Sequence, residues 1–167
     1  CIERWGLPPD RVSSCYNGLH QERFERAAAQ SIPGTEPGRG ARDPFALAYI
    51  GPPEKGLAAA IEVLRRLRTR DERYHLDVFG GGRLWGRSDD ETPPEPGVRS
   101  RGLIGQVELV PRLFSYEYCL APQAMEEGFG IAVQEAMRAG EIVLASRVGA
   151  FGELIRHGYD GFLIDQP

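Results

Sequence analysis

Short apolar runs rich in β-branched and aromatic residues alternate along the chain with segments whose apolar positions recur at helical spacing. The runs are Val12 to Tyr16, Phe45 to Ile50, Tyr74 to Phe79, Val98 to Ile104, Tyr118 to Ala121, Ile142 to Ser146 and Gly161 to Ile164. Between them lie helix candidates. The plainest is Lys55 to Thr69, where Leu57, Ile61, Leu64 and Leu67 share one face and Glu62, Arg65, Arg66 and Arg68 fall mostly elsewhere. The others are Glu22 to Gln30, Glu108 to Phe114, Phe129 to Ala139 ending at Gly140, and Phe151 to His157 ending at Gly158. Parallel neighbours need a crossover, so strand and helix in alternation predict a parallel sheet with helices on both faces, a doubly wound α/β fold. Two segments rich in Pro, Gly and charge, Ser31 to Pro44 and Ser88 to Gly97, read as long surface loops.

At 167 residues the chain has room for one domain with a full core, and residues 1–167 are expected to form one. No apolar run approaches the ~20 residues that cross a bilayer, and the N-terminus does not read as a signal peptide, so a soluble, cytoplasmic chain without a transmembrane segment is expected. The net charge of −4 supplies no global basic field. Nucleic acid is therefore excluded as a first choice of partner, and an anion site has to be a local arrangement of donors. Cys1, Cys15 and Cys119, with His20, His75 and His157, show no zinc-type clustering, so no structural metal is expected. Lys55 is the single lysine among 20 basic residues. The ends are uneven: "CIERWGLPPD" reads as the tail of a helix, and "GFLIDQP" stops without a closing one, as if the domain were cut from something larger.

Ligands of an open parallel sheet bind beyond the carboxyl ends of the strands, where loops meet helix N-termini. Three junctions qualify: "YIGPPEKGL", "VFGGGRLW" and "LAPQAMEEGFGI". In the third, Gly128 and Gly130 stand where a capping side chain is usual. The amides of Phe129, Gly130 and Ile131, with the positive end of the helix dipole, suit a phosphate. Glu135 lies one turn beyond Ile131 and can accept from hydroxyls, and Glu127 is free to curl over the other side. A carboxylate beside a phosphate is costly unless it serves a hydroxyl-rich part of the ligand, which points to sugar rings flanking a phosphate. The same residues also suit a solvent-facing Glu135, a dipole-stabilising Glu127 and glycines that only permit a turn. Lys55 opposes the dipole of a helix it opens and is offset by an anion there, although an exposed turn lysine is the plainer alternative. Gly80-Gly81-Gly82 lacks the G-x-G-x-x-G spacing and reads as a tight turn; His20, after "YNG", reads as an exposed loop histidine.

In this order the segments resemble the C-terminal nucleotide-sugar-binding domain of GT-B glycosyltransferases, most like the retaining family GT4, also called glycosyltransferase group 1. "VSSCYNGLH" is similar to the family's strand ending in Asn-Gly-Ile/Val-Asp, with His20 where Asp is frequent. "FALAYIGPPEKGLAAAIEVL" resembles its strand, E-K-G loop and helix, "YHLDVFGGG" its next strand and glycine turn, and "VRSRGLIGQV" its Phe-Leu-Gly-x-Val segment. The block from Leu120 to Asp165 resembles its signature, with Glu127 and Glu135 at Glu-x7-Glu spacing.

The resemblance implies that Glu135 binds the ribose of a nucleotide-sugar donor and Glu127 approaches the transferred sugar. It further implies that Lys55 and the amides of Phe129, Gly130 and Ile131 hold the diphosphate, and that the backbone near Val107 meets the base. Retaining, metal-independent transfer to an acceptor of unknown identity is implied, with Glu127 and Lys55 catalytic, no cofactor, and an N-terminal acceptor domain and closing C-terminal helix outside this chain. A non-catalytic nucleotide-sugar-binding or scaffold domain and a GT-B-like nucleotide-sugar epimerase are the alternatives. Gly51-Pro52-Pro53-Glu54 departs from the pattern, which places an arginine just after the glycine, so one of the two diphosphate cations is missing. Gln123 stands in place of a common small residue, and Gly149-Ala150 in place of a glycine pair.

Overall fold

The computed structural model describes residues 6–13, 15–30, 42–80 and 94–165. Six strands form one parallel sheet: β1 (Asp43–Ile50), β2 (His75–Phe79), β3 (Val98–Gly102), β4 (Tyr116–Ala121), β5 (Ile142–Ser146) and β6 (Gly161–Ile164), in the order β3-β2-β1-β4-β5-β6. The helices are α1 (Gln21–Gln30), α2 (Leu57–Arg68), α3 (Gln106–Leu113), α4 (Ile131–Ala139) and a single turn, α5 (Phe151–Leu154). The doubly wound fold expected from the alternation is present. The order of strands reverses between β1 and β4, and the crevice at such a reversal is where open α/β sheets receive ligands.

The apolar stripe of α2 explains its placement. Leu57, Ala60, Ile61 and Leu64 are all buried and pack on Leu47, Tyr49, Leu76, Val78 and Leu120 of one sheet face. Truncating such a leucine to alanine costs about 2–5 kcal/mol. On the opposite face Phe24 and Ala27 of α1 and Leu109, Val110 and Leu113 of α3 cover Ala46, Ala48 and Phe79. Val133 and Ala136 of α4 pack beside them with Cys119, Val143 and Ala145. Alanines at 46 and 48 leave room for the helices to sit close to β1. The face that carries α2 is open at its far end, where Phe162 and Ile164 of β6 are exposed.

Several boundaries differ from expectation for local reasons. Val12 to Tyr16 is not a strand at its described residues; Val12 and Tyr16 are exposed and no neighbouring strand pairs with them. Lys55 does not open α2 but ends a 3-10 turn, Pro53–Lys55, and Gly56 then turns left-handed before the helix begins. α3 starts at Gln106 rather than Glu108, directly after an extended Gly105. The segment from Phe151 stays helical only to Leu154; Ile155 is extended and His157 bridges to Gly161. The fourth helix starts at Ile131, two residues later than expected, because Gly130 is left-handed. Gly81, Gly82, Cys1 and most of both expected loops lie outside the described residues.

Candidate functional site

At the carboxyl ends of β1 and β4 a cavity of about 290 Å³ opens, lined among others by Lys55, Gln123, Glu127, Phe129, Gly130 and Ile131. Two backbone features build it. Gly56, at φ 111°, packs so closely on the loop after β4 that a Cβ there would lie 2.2 Å from the Pro122 carbonyl oxygen. That contact carries Lys55 to the Glu127 loop. Gly130, at φ 75°, starts α4 with no side-chain cap, and a Cβ there would meet the Phe151 ring at 2.8 Å. The Glu127 loop is held from the far side, where Ala150 donates its amide to the Glu127 carbonyl at 2.9 Å.

Of the expected diphosphate donors, Lys55 and the amides of Phe129 and Gly130 converge on Glu127 in this structure, and Ile131 lines the same cavity. Lys55 Nζ donates to Glu127 Oε2 at 2.9 Å, Gln123 Nε2 donates to the same oxygen at 3.2 Å, and the amides of Phe129 and Gly130 point at Oε1 at 3.4 and 3.3 Å. A carboxylate thus fills the bare helix start that the glycines leave. Burial disfavours its charge, but the bonds from Lys55, Gln123 and the Phe129 amide, with the charge of Lys55, outweigh burial and bring its pKa down to about 2. Glu127 is fully ionised at neutral pH and marks, by its own position, a place built for anionic oxygen.

Glu135 sits differently. It is 4% exposed, on the side of α4 that faces α1 and α3, and it is not part of the cavity wall. Gln106 Nε2 donates to its Oε1 at 2.5 Å, and Gln106 Oε1 in turn accepts from Arg23 Nη1 at 2.9 Å. Burial raises the pKa of Glu135, opposed by the charge of Arg23 and the Gln106 hydrogen bond. Of the plain readings for the pair, the solvent-facing Glu135 does not hold, since it is buried, whereas Glu127 does sit at the positive end of the α4 dipole, where it also bonds Lys55 and Gln123. Val107, next to Gln106, is 76% exposed and open to a ligand; Gly128 is exposed with nothing within 4 Å of a Cβ position. His20 is exposed, as expected of a loop histidine.

The structure therefore brings Lys55, Glu127, Phe129, Gly130 and Ile131 around one cavity, and leaves Glu135 and Val107 outside its wall, Glu135 bonded to Gln106 and Val107 exposed next to it. Sequence reasoning missed four contributors. Gln123, taken as a mild replacement, is 4% exposed and bonds Glu127. Tyr49 lines the cavity floor and donates its hydroxyl to the Pro52 carbonyl at 2.8 Å, bracing the loop that lacks the arginine. Arg23 and Gln106 are joined across 83 residues, a pairing no local pattern signals. Among the described residues no helix is long and apolar enough to cross a membrane.

Known proteins resemble the chain in sequence and in fold. The GDP-mannose:cellobiosyl-diphosphopolyprenol alpha-mannosyltransferase of Xanthomonas campestris is 27% identical over 172 aligned positions, covering 96% of this chain and 41% of that protein. A phosphatidyl-myo-inositol mannosyltransferase of Mycobacterium tuberculosis is 31% identical over 118 positions, 67% of this chain and 30% of that protein. The chain spans less than half the length of these relatives. Among solved structures, WaaG, a glycosyltransferase involved in lipopolysaccharide biosynthesis, superposes with a TM-score of 0.71 at 20% identity over 99% of this chain and 46% of that one. HepE of Anabaena, solved with UDP and glucose, superposes with a TM-score of 0.68 at 20% identity over 98% of this chain and 46% of that one. The fold is thus that of one half of the GT-B glycosyltransferases. Residues 50–167, which hold Lys55 and both glutamates of the Glu-x7-Glu pair, match the model of the glycosyl transferases group 1, and the chain belongs to that family.

Proposed function

We propose that this chain is the donor-binding half of a retaining glycosyltransferase that moves a hexose-type sugar from a nucleoside diphosphate sugar to an acceptor hydroxyl. The observation that carries this reading is the convergence of Lys55 Nζ and the Phe129 and Gly130 amides on the two oxygens of one carboxylate, that of Glu127. In the donor complex the diphosphate takes that place, Glu127 swings toward the sugar, and Glu135 accepts from the ribose hydroxyls. The base lies along the backbone at Val107. The relatives carry names of sugar transferases, and HepE was solved with UDP-glucose, which supports a nucleotide-sugar donor here.

Bond breaking separates the anomeric carbon from the diphosphate oxygen. Negative charge grows on the leaving diphosphate while the ring becomes cation-like. Fixed amide dipoles and an ammonium aimed at the diphosphate stabilise this charge more than the ground state, and they are already oriented when the donor arrives. Glu127, displaced from the cradle, places a carboxylate beside the developing positive ring. The acceptor site belongs to an N-terminal domain outside this chain.

A binding domain without transfer chemistry is the second reading, and Pro52 and Pro53, in place of the usual arginine, favour it. Titration calorimetry of the chain with UDP, GDP and ADP tests the common core of both. Binding of at least one is expected; three flat traces from folded protein would overturn the nucleotide site. Incubating the complete enzyme with labelled donor and acceptor candidates separates the two, since transfer yields a new glycoside and a binding domain yields none.

A further inference from the structure

We propose that Arg23 and Gln106 are positioning residues that orient the Glu135 carboxylate for the donor ribose, so that nucleotide recognition depends on the docking of α1 against α3 and α4. The inference rests on the donor-site reading above and names what makes its ribose contact competent.

The chemistry of the three groups fixes their order. A guanidinium has only donors, so Gln106 must turn its carboxamide oxygen toward Arg23 Nη1, at 2.9 Å. The amide nitrogen then faces Glu135 Oε1, at 2.5 Å, and an ionised carboxylate can only accept. Rotating the carboxamide by half a turn would set oxygen against carboxylate and nitrogen against guanidinium, breaking both bonds at once. Arg23 thus decides which end of Gln106 the glutamate meets. With Oε1 held in this way, Oε2 is left to accept a ligand hydroxyl.

Electrostatics require the arrangement as well. Glu135 is 4% exposed, and burial raises its pKa. The charged group acting on it from α1 is Arg23 and the donor facing it from α3 is Gln106; both favour the ionised form. A protonated Glu135 would turn a donor toward the ribose and lose half its accepting capacity. Gln106 is the first residue of α3, beside the exposed Val107, so the same helix start that meets the base also sets the ribose acceptor. Arg23 lies outside residues 50–167, the part of the chain that the family model matches.

The test is calorimetric titration with UDP, GDP and ADP and with their 2′-deoxy counterparts, at pH 7.5 and pH 5.5, on the unaltered chain, Gln106→Leu, Arg23→Met and Arg23→Lys. The unaltered chain is expected to prefer the ribonucleotide by about tenfold, the worth of one hydrogen bond to a charged group. Gln106→Leu and Arg23→Met should bring that preference to within about twofold, leave 2′-deoxynucleotide affinity within about twofold, and lose further ribonucleotide affinity at pH 5.5. Arg23→Lys, which still donates to Gln106, should restore most of the preference. An undiminished ribose preference in either folded variant overturns the inference while the donor site stands. If the unaltered chain binds none of the nucleotides, the donor-site reading itself falls, and this inference with it.

Discussion

Glu127 and Glu135 flank the same helix start, eight positions apart, yet their surroundings treat a negative charge in opposite ways. Around Glu127 an ammonium, a carboxamide and two amides converge, and the carboxyl is held at a pKa of about 2. Around Glu135 a single carboxamide donates, with Arg23 behind it, and burial pushes the pKa up. One place is saturated with donors and suits a diphosphate; the other is sparingly supplied and suits neutral hydroxyls. A sugar nucleotide needs both kinds of environment, and in the proposed donor complex the two glutamates at the start of α4 would supply them.

The sharpest way to break this contrast is Lys55→Ala. Removing the ammonium should weaken binding of UDP, GDP or ADP, whichever binds, by about 30-fold or more, since charged hydrogen bonds contribute about 1.5–3 kcal/mol. Calorimetry reads this directly, and an unchanged affinity would mean that the ammonium does not face the diphosphate. Folding stability should change far less in the same variant. The pair with Glu127 is partly exposed, at 37% for the lysine side chain, and such pairs contribute ~1 kcal/mol at most.

Gly130→Ala attacks the element the two sites share. Its Cβ would press on the Phe151 ring at 2.8 Å in a left-handed backbone, so a loss of about 1–3 kcal/mol is expected in urea unfolding, together with weaker nucleotide binding. Glu135→Gln should separate the sites. Nucleotide affinity should fall by about tenfold, the worth of one hydrogen bond to a charged group. Thermal stability at neutral pH should hold or rise. The raised pKa of Glu135 means that the folded state binds its proton more tightly than the unfolded chain, so ionisation costs stability as pH rises, and the amide removes that cost. A clear loss of stability in Glu135→Gln would contradict this.

The smallest effects belong to Glu127. Its pKa is lowered, so the folded state favours the ionised form; that contribution is complete above the ordinary value of 4.5 and is lost as pH falls toward about 2. Urea midpoints measured down this range should fall less steeply in Glu127→Gln than in the unaltered chain. The same variant should bind UDP, GDP or ADP a few-fold more tightly at pH 7, because a charge that competes with the diphosphate for the cradle is gone. Weaker binding would show that Glu127 assists the diphosphate instead of occupying its place.

Much of this was legible before folding. The order of elements followed from alternation alone, with one excess: Val12 to Tyr16 has the composition of a strand, but nothing in its sequence reports whether another strand stands beside it. The glycine-bearing start of α4 was legible because its parts are local, with Gly128 and Gly130 in place of a cap. Helix boundaries at Lys55 and Phe129 slipped where Gly56 and Gly130 adopt left-handed backbone. Gln123 looked like a minor replacement because its partner, Glu127, is set by the path of a loop.

The sequence by itself determined a parallel α/β sheet, a family, and two glutamates and one lysine near a helix start, since periodicity, glycine placement and short spacing are properties of neighbouring residues. Only the tertiary structure decided that Lys55 meets Glu127 across 72 residues, that Glu135 is buried under α1 and α3, and that Arg23 reaches Gln106. Each of those contacts joins elements whose distance is set by how side chains fill the space between helix and sheet, and that packing is a property of the assembled core.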